Sequence, residues 1–278
     1  MDTLTIDSAT SHSSRGEYAL ASGAAAVRRL FVLHNIYGPA GHRLLLQAGL
    51  KPGMHVADFG CGVGAVTQML GEMVGPSGSV TGLDASAAQI AQATEICSGS
   101  ANVRFLTADA CNTGLPPNSF DLVYCRYLLL HLPDPAACLL EMRRVLKPGG
   151  ILVVEDGDLA SATSVPATAL NAFAHLFSQL GPRRGLNYSL ANNLYHMVKR
   201  ANFADPQIEI HQPACTRGLN GVLLAWSVAE AGPAFIAEGL ITGLQLNRTL
   251  IEMESAIDDP DVLVLAPRMS VVWARKAA

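Results

Sequence analysis

One short stretch, residues 56–64 (VADFGCGVG), constrains this chain most, because it runs an apolar strand into an acidic residue and three alternating glycines. Behind it, residues 65–74 carry apolar side chains at i, i+3, i+4 spacing, which predicts a helix. Glycine suits such a strand–turn–helix unit because the turn is tight and a ligand approaches bare backbone there. The spacing is G-x-G-x-G, which differs from the G-x-G-x-x-G of dinucleotide-binding turns. The next apolar run ends at Asp84, whose carboxylate can accept both hydrogen bonds of a ribose diol.

Strands alternate with helices along the rest of the chain, which predicts a doubly wound, mostly parallel α/β sheet. The predicted strands lie near residues 56–58, 80–84, 103–108, 121–124, 151–155, 206–211 and 269–274. Helical stretches are predicted over residues 166–180, 190–201 and 221–257. The helical segment ahead of the first strand, residues 17–47, is expected to break at residues 38–41 (GPAG), because glycine and proline interrupt helices.

Five segments in the same order resemble the motifs of class I S-adenosylmethionine (SAM) methyltransferases, and they are residues 58–64, 82–86, 107–110, 120–123 and 146–150. The similarity is to the small-molecule, ubiquinone/menaquinone-type and natural-product-tailoring branch. It covers residues 17–156 well and the remainder in outline. The resemblance implies a Rossmann-like sheet of seven strands with the last antiparallel, helical lid insertions, SAM as cofactor and S-adenosylhomocysteine (SAH) as product.

The resemblance also divides the chain into a core and its covers. Residues 1–16 are polar and lack an apolar targeting segment, so we expect disorder there. Residues 17–50 would form a helical cap, residues 51–156 the SAM-binding core, and residues 157–278 the rest of the sheet. Lid insertions are expected at about residues 158–186 and 216–262.

The cofactor-binding residues that the resemblance implies are Asp58, Gly60, Cys61, Gly62, Asp84, Ala85, Gln89, Asp109, Ala110, Cys125 and Arg126. The glycine turn would approach the amino-acid end of SAM, and Asp58 would hold its ammonium group. Asp84 would bind the ribose, and Asp109 would lie where the family binds adenine. Cys125 and Arg126 would lie beneath the methionine arm.

Three residues are candidates for the catalytic step. Methyl transfer from a sulfonium is an in-line displacement, so the protein must align the acceptor, exclude water and remove a proton where the acceptor requires it. His131 follows the fourth predicted strand, and Glu155 ends the fifth beside Asp156. In many small-molecule relatives an aromatic residue ahead of the domain closes over the site, which makes Tyr18 the third candidate.

Two apolar insertions would leave the carboxyl edge of the sheet and roof one site. They predict a closed chamber for a small, fairly hydrophobic substrate, although most of the apolar residues are expected to be ordinary core. The candidate lining is Phe173, Phe177, Leu223, Leu224, Trp226, Phe235, Ile236 and Leu240.

Composition restricts the partners. The net charge of −4 gives no basic footprint for nucleic acid, and the pairs at residues 28–29, 143–144 and 183–184 are expected to be solvated arginine edges. The six cysteines show no C-x-x-C pair, so we expect reduced thiols and no metal site. No apolar run reaches membrane length without a Gly, Pro or charge. A cytoplasmic enzyme of secondary metabolism with a small-molecule substrate is expected, and the oligomeric state, a homodimer included, stays open.

Other activities remain open from the sequence. The cofactor signature reports binding rather than transfer, so a cyclase or a ligand-binding protein on the same fold is an alternative. An arsenite methyltransferase would need a cysteine trio over the site, and only Cys61 and Cys125 are expected near it. A nicotinamide dehydrogenase would need the longer glycine spacing.

Overall fold

A seven-stranded sheet lies at the centre of the computed structural model, which describes residues 24–277. The strands are β1 (His55–Phe59), β2 (Ser79–Asp84), β3 (Val103–Thr107), β4 (Phe120–Arg126), β5 (Leu146–Asp158), β6 (Thr163–Val165), β7 (Phe203–His211), β8 (Ala214–Thr216), β9 (Leu263–Leu265) and β10 (Arg268–Lys276). The α-helices are α1 (Ala24–Ala48), α2 (Ala65–Val74), α3 (Ala87–Ile96), α4 (Pro135–Val145), α5 (Ala172–Arg184), α6 (Leu194–Arg200), α7 (Leu219–Ala237) and α8 (Gly243–Ile257).

The strand order is β3-β2-β1-β4-β5-β10-β7. The first five strands of the sheet are parallel to one another, and they are β3, β2, β1, β4 and β5. Strand β10 is antiparallel to both of its neighbours, β5 and β7. The seven predicted strands and the antiparallel last strand are therefore confirmed. The reversal of strand order beside β1 and β4 creates the crevice in which open α/β sheets bind ligands.

Alternating side chains of the central strands pack on opposite faces of the sheet. In β4, Leu122 and Tyr124 are buried in one hydrophobic cluster with residues of α1 and α2. Val123 and Cys125 are buried in a second cluster with residues of α4, α5 and α7. Strands covered on both faces must be apolar throughout, and β4 accordingly reads as an almost continuous apolar run.

The predicted break at residues 38–41 is wrong, because α1 is continuous through Pro39. The fully buried side chains of Tyr37 and Leu44 flank the proline and dock the helix on both sides of it. Tertiary burial of this kind can outweigh the roughly 3 kcal/mol that an interior proline costs. Gly41 serves close packing instead of ending the helix, since a Cβ there would lie 2.8 Å from Glu155 Oε1.

The segments that cover the carboxyl edge of the sheet contain more separate helices and strands than the sequence predicts. The stretch over residues 221–257 consists of two helices, because Thr242 starts α8 with a capping box to Gln245. The helix predicted over residues 166–180 is α5, which starts and ends later. A small antiparallel sheet in the order β6-β9-β8, which the sequence did not indicate, joins the two lid segments.

Within residues 24–277, α7 is the one helix long and apolar enough to cross a membrane by length and composition. It contacts α1, α5 and α8, and 61% of its apolar window is buried inside the protein. Its apolar character is therefore that of an interior helix.

Candidate functional site

A cavity of about 380 Å³ opens at the carboxyl ends of β1, β2 and β4 and beneath α1, α5 and α7. One end is formed by the loops that follow the strands, and its lining residues are Gly60, Gly62, Asp84, Ala85, Ser86, Gln89, Asp109, Ala110 and Arg126. The other end lies under the helices and is mostly apolar, with Leu159, Phe173, Phe177 and Leu223 in its lining. A smaller pocket of about 50 Å³ shares Gly60, Gly62 and Arg126 with it and includes Asp58 and Cys61.

The glycine turn has the backbone that the motif requires. Gly60, Gly62 and Gly64 have φ values of 69°, 55° and 84°, a region that residues with a Cβ rarely adopt. A Cβ at Gly60 would come within 2.9 Å of Leu128, and one at Gly62 within 3.1 Å of Gln89. Gly60 and Gly62 both line the cavity, so the turn exposes bare backbone to it, and a side chain at either position would crowd Leu128 or Gln89.

Asp84 is oriented by the glycine turn and by its own loop. Its Oδ2 accepts a hydrogen bond from the Gly62 amide at 3.1 Å, and its Oδ1 accepts one from the Ser86 amide at 2.9 Å. Burial raises the pKa of this carboxyl, and the backbone donors act in the opposite direction. These contacts hold the carboxylate at the cavity wall, where it can accept hydrogen bonds from a diol.

The two residues predicted to lie near adenine, Asp109 and Ala110, also line the cavity. Asp109 and Ala110 follow β3, and the exposed Asp109 accepts a hydrogen bond from the Cys111 amide at 2.8 Å. Asp58 lies deeper and accepts a hydrogen bond from the Thr67 hydroxyl at 2.7 Å, which ties the end of β1 to α2. Burial raises the pKa of Asp58 to about 7.

The two cysteines predicted near the site differ in position. Cys61 lines the smaller pocket, whereas Cys125 is fully buried beneath the sheet edge and lines neither cavity. Burial raises the pKa of both thiols. Cys61 is the one cysteine in the lining of these two cavities, so the structure does not gather the thiol cluster that an arsenite methyltransferase would need.

Arg126 lies between the two cavities and brings several charged groups together. It contacts His34 Nδ1 at 3.2 Å, and burial together with the Arg126 charge lowers the pKa of His34 to about 4. Its charge also acts on Asp58 and Glu155, favouring their ionised forms. The sequence placed Arg126 at the site but gave no indication that His34 of α1 would contact it.

Of the three catalytic candidates, one lines the cavity, one does not, and one lies outside the described residues. His131 lines the apolar end of the cavity, and burial, with the nearby Arg29 charge, lowers its pKa to about 3, so the imidazole is neutral at pH 7. Glu155 does not line the cavity, since β5 runs three residues further to Asp158 and Glu155 lies beneath α1. Tyr18 falls outside the residues that the structure describes.

The predicted chamber is present in part. Of its candidate lining, Phe173, Phe177 and Leu223 face the cavity. The others do not line it, and they are Leu224, Trp226, Phe235, Ile236 and Leu240. Phe235 is a core residue that packs edge-on against Phe177, with ring centroids 5.2 Å apart.

Two polar lining residues were missed by the sequence. Arg29, expected on a solvated edge, is 4% exposed and lines the cavity, and Ser227 of α7 faces it too. The pair at residues 183–184 is likewise not all solvated, because Arg184 is buried in an ion pair with Glu238. No motif carries this information, since the contacts join helices that are distant in the chain.

Comparison with known proteins agrees with this geometry. A family model described as a methyltransferase domain matches residues 50–202, more than half of the chain. The 2-methyl-6-phytyl-1,4-hydroquinone methyltransferase of Synechocystis is 38% identical over 117 residues, which is 42% of this chain and 36% of that protein. The demethylmenaquinone methyltransferase of Staphylococcus aureus is 31% identical over 166 residues, 59% of this chain and 66% of that protein. The chain thus spans less than two thirds of the length of either relative.

Solved structures share the fold. A Bacillus halodurans protein assigned as a methyltransferase superposes with a TM-score of 0.60 at 18% identity, covering 86% of this chain and all of that one. The phosphoethanolamine N-methyltransferase 2 of Haemonchus contortus, in complex with SAM, gives a TM-score of 0.53 at 18% identity, covering 91% of this chain and 53% of that one. With the family match over the glycine turn and the strands that build the cavity, the chain belongs to the methyltransferase-domain family and has the class I, Rossmann-like fold expected of it.

Proposed function

We propose that this protein transfers the methyl group of SAM to a small, hydrophobic, ring-containing acceptor. One observation carries the proposal: a single cavity joins a polar end built on the glycine turn to an apolar end beneath three helices. The polar end fits SAM, because the bare backbone at Gly60 and Gly62 leaves room for its amino-acid arm. Asp84 offers a carboxylate for its ribose, and Asp109 offers one for adenine.

SAM supplies the electrophilic methyl group, and the chain supplies alignment and exclusion of water. Leu159, Phe173, Phe177 and Leu223 surround the acceptor end with apolar surface, so an aromatic ring there displaces water. Holding the acceptor within reach of the methyl group is worth a large part of the acceleration, because two reactants then act as one complex. His131 is neutral and lies on the same wall, where it can accept a hydrogen bond from the acceptor.

The names of the relatives indicate which acceptors to test first. Both act on quinone-related rings, as a hydroquinone and a demethylated menaquinone. An apolar chamber at the end of a SAM-type site is compatible with such rings, and also with hydroxylated aromatic natural products. The acceptor series should therefore begin with short-chain hydroquinones and continue with plain phenols.

Calorimetric titration with SAH tests cofactor binding. Asp84→Asn keeps the shape of the side chain and removes the charge, so SAH affinity should fall about tenfold or more, as expected for hydrogen bonds to a charged group. The matched control is Asp261→Asn on an exposed loop outside the cavity, which should bind SAH like the wild type. Absence of SAH and SAM binding to the wild-type protein would contradict the proposal.

A transfer assay with radiolabelled SAM then separates methylation from other uses of the fold. Label should move to an extracted hydroquinone or phenol in the presence of the wild-type protein, and at SAM concentrations that do not saturate the enzyme it should move about tenfold more slowly with Asp84→Asn. Tight SAH binding without transfer to any member of the acceptor series would favour the cyclase or ligand-binding alternative.

A further inference from the structure

Two cysteines lie against each other beside the loop that follows β3 and lines the cavity. Cys111 comes two residues after Asp109, and its Sγ lies 3.8 Å from the carbonyl oxygen of Asp134. Asp134 is the N-cap of α4, so its carbonyl accepts the first hydrogen bond of that helix, from the amide of Cys138. The Cys111 thiol therefore lies at the turn of α4 that carries Cys138, and the two thiols share a hydrogen bond.

The two thiols differ in exposure and in acidity. Cys138 is fully buried in the hydrophobic core, whereas Cys111 is half-buried. The hydrogen bond from Cys138 lowers the pKa of the Cys111 thiol, although burial and nearby carboxylates act in the opposite direction. The same bond, together with burial, raises the pKa of Cys138. Cys111 is thus the thiol that an oxidant reaches and that forms the reactive thiolate, with a second thiol in contact.

The remaining cysteines lie in different surroundings. Burial raises the pKa of Cys61, Cys97 and Cys125, which disfavours their thiolates. Cys215 on β8 is half-buried like Cys111, and it does not line the cavity. It therefore provides a control that matches Cys111 in exposure.

All six cysteines are free thiols in the structure. We propose that hydrogen peroxide converts Cys111 and Cys138 reversibly into a disulfide, and that this bond weakens the binding of the cofactor. The effect on the cofactor rests on the proposed function, in which Asp109 meets adenine. Formation of the disulfide does not depend on it.

Hydrogen peroxide accepts the two electrons in this reaction. The Cys111 thiolate attacks one peroxide oxygen, the O–O bond breaks, and the other oxygen leaves as water, which gives a sulfenic acid. The Cys138 sulfur then attacks the Cys111 sulfur. The S–S bond forms, and the sulfenic hydroxyl leaves with the Cys138 proton as a second water. The two thiols together lose two electrons and two protons, and one peroxide becomes two waters.

The disulfide would act on the site through the loop after β3. Core packing of α4 holds Cys138, so the loop with the half-buried Cys111 moves when the two sulfur atoms close to bonding distance. Hydrogen bonds fasten this loop to Asp109: the Cys111 amide donates to Oδ1 at 2.8 Å, and the Asn112 amide donates to the carbonyl oxygen at 3.0 Å. Asp109 lines the cavity, so movement of the loop displaces the carboxylate that adenine would meet.

Mass spectrometry of peroxide-treated, alkylated and digested protein tests the bond itself. A peptide pair joined through Cys111 and Cys138 is expected, and dithiothreitol should separate it. Calorimetric titration with SAH then tests the consequence. The affinity for SAH should fall about tenfold on oxidation, as expected for the loss of a hydrogen bond to a charged group, and should return on reduction.

Variants separate this pair from other oxidation. Cys111→Ser removes the reacting thiol, so its SAH affinity should not respond to peroxide. Cys138→Ala should form no cross-link, and Cys111 should then stop at the sulfenic acid, which dimedone labels. Cys215→Ser keeps both thiols of the pair, so its SAH affinity should fall on oxidation as in the wild type.

Three results would overturn the inference. The first is the absence of the cross-link between Cys111 and Cys138 in peroxide-treated wild type. The second is a cross-linked protein that binds SAH as tightly as the reduced protein. The third is a loss of affinity that persists in Cys111→Ser, which would assign the effect to another residue. Failure of the reduced wild type to bind SAH would instead refute the proposed function, and the cross-link would still be tested by mass spectrometry.

Discussion

Replacing Glu155 with glutamine should stabilise the protein at alkaline pH and leave its stability almost unchanged in acid. The carboxyl group of Glu155 is fully buried beneath α1, and Gly41 packs directly over it. Burial raises its pKa from the ordinary value near 4.5 to about 7, although the Arg126 charge acts in the opposite direction. The folded protein therefore holds a proton at this site that the unfolded chain has already released.

The sign and size of the effect follow from linkage. Between about pH 4.5 and pH 7 the folded state binds more protons at Glu155 than the unfolded state, so stability falls as pH rises through this window and is constant above it. A pKa raised from about 4.5 to about 7 corresponds to ~3 kcal/mol. A glutamine side chain at this position would be neutral at every pH, and it resembles the protonated acid in shape. E155Q should therefore gain up to ~3 kcal/mol at about pH 8 and little at about pH 5.

Urea unfolding followed by circular dichroism at the two pH values measures this difference. Glu141→Gln is the matched control with the opposite sign, because hydrogen bonds from Arg144 and Thr113 lower the pKa of Glu141 to about 2. Glu141 contributes stability above the unfolded pKa near 4.5, and that stability is lost as pH falls toward 2, so E141Q should be destabilised at neutral pH. A gain in E155Q that is the same at both pH values, or a loss confined to alkaline pH, would refute this reasoning.

Three further predictions concern packing. Gly41→Ala should lower the free energy of unfolding by about 1–3 kcal/mol, because its methyl group would meet the Glu155 carboxyl group. The control is Gly243→Ala, which should be neutral or stabilising because the nearest atom to its new methyl group is 4.0 Å away. Equal effects of the two substitutions in chemical denaturation would contradict the contact between Gly41 and Glu155. Tyr37→Phe should cost about 1 kcal/mol, since the buried hydroxyl donates to a backbone carbonyl at 2.8 Å, and an unchanged unfolding midpoint would argue against that bond. Phe177→Ala should cost about 3–5 kcal/mol and enlarge the acceptor chamber, so bulkier phenols should bind better relative to small ones; no change in this size preference would show that Phe177 does not bound the acceptor.

The central sheet could be predicted because each of its strands is long enough to show a pattern. Residues 65–74 were predicted as a helix, and α2 has the same bounds. The small sheet of β6, β8 and β9 could not be predicted, since its strands are three residues each and exist only through pairing between distant segments. The continuity of α1 was missed for a related reason: its proline and glycines act locally as helix breakers, and only burial against the sheet decides the outcome.

In the candidate site, too, some residues could be predicted from the local sequence, whereas others depend on contacts between distant segments. Asp84 and Asp109 were predictable because Asp84 ends one short parallel strand and Asp109 follows another, and such strand ends meet at one edge. Arg29 was predicted as solvated, because nothing in its own segment indicates that α7 lies over it. Ser227 was not singled out at all. Acceptor recognition is therefore the part of the site that the sequence leaves least determined.

Acidic residues at the carboxyl edge of this sheet either face the cavity or support a neighbouring segment, and the length of the strand determines which of the two roles each residue has. Asp84 is the last residue of β2, so its carboxylate reaches the cavity and can meet a ligand. Asp156 lies inside β5, because pairing with β10 continues to Asp158. Its carboxylate instead accepts the Leu130 amide at 3.2 Å, which fixes the segment that carries His131. Extending one strand by three residues thus converts an expected ligand-binding edge into a support for the residues that line the acceptor end.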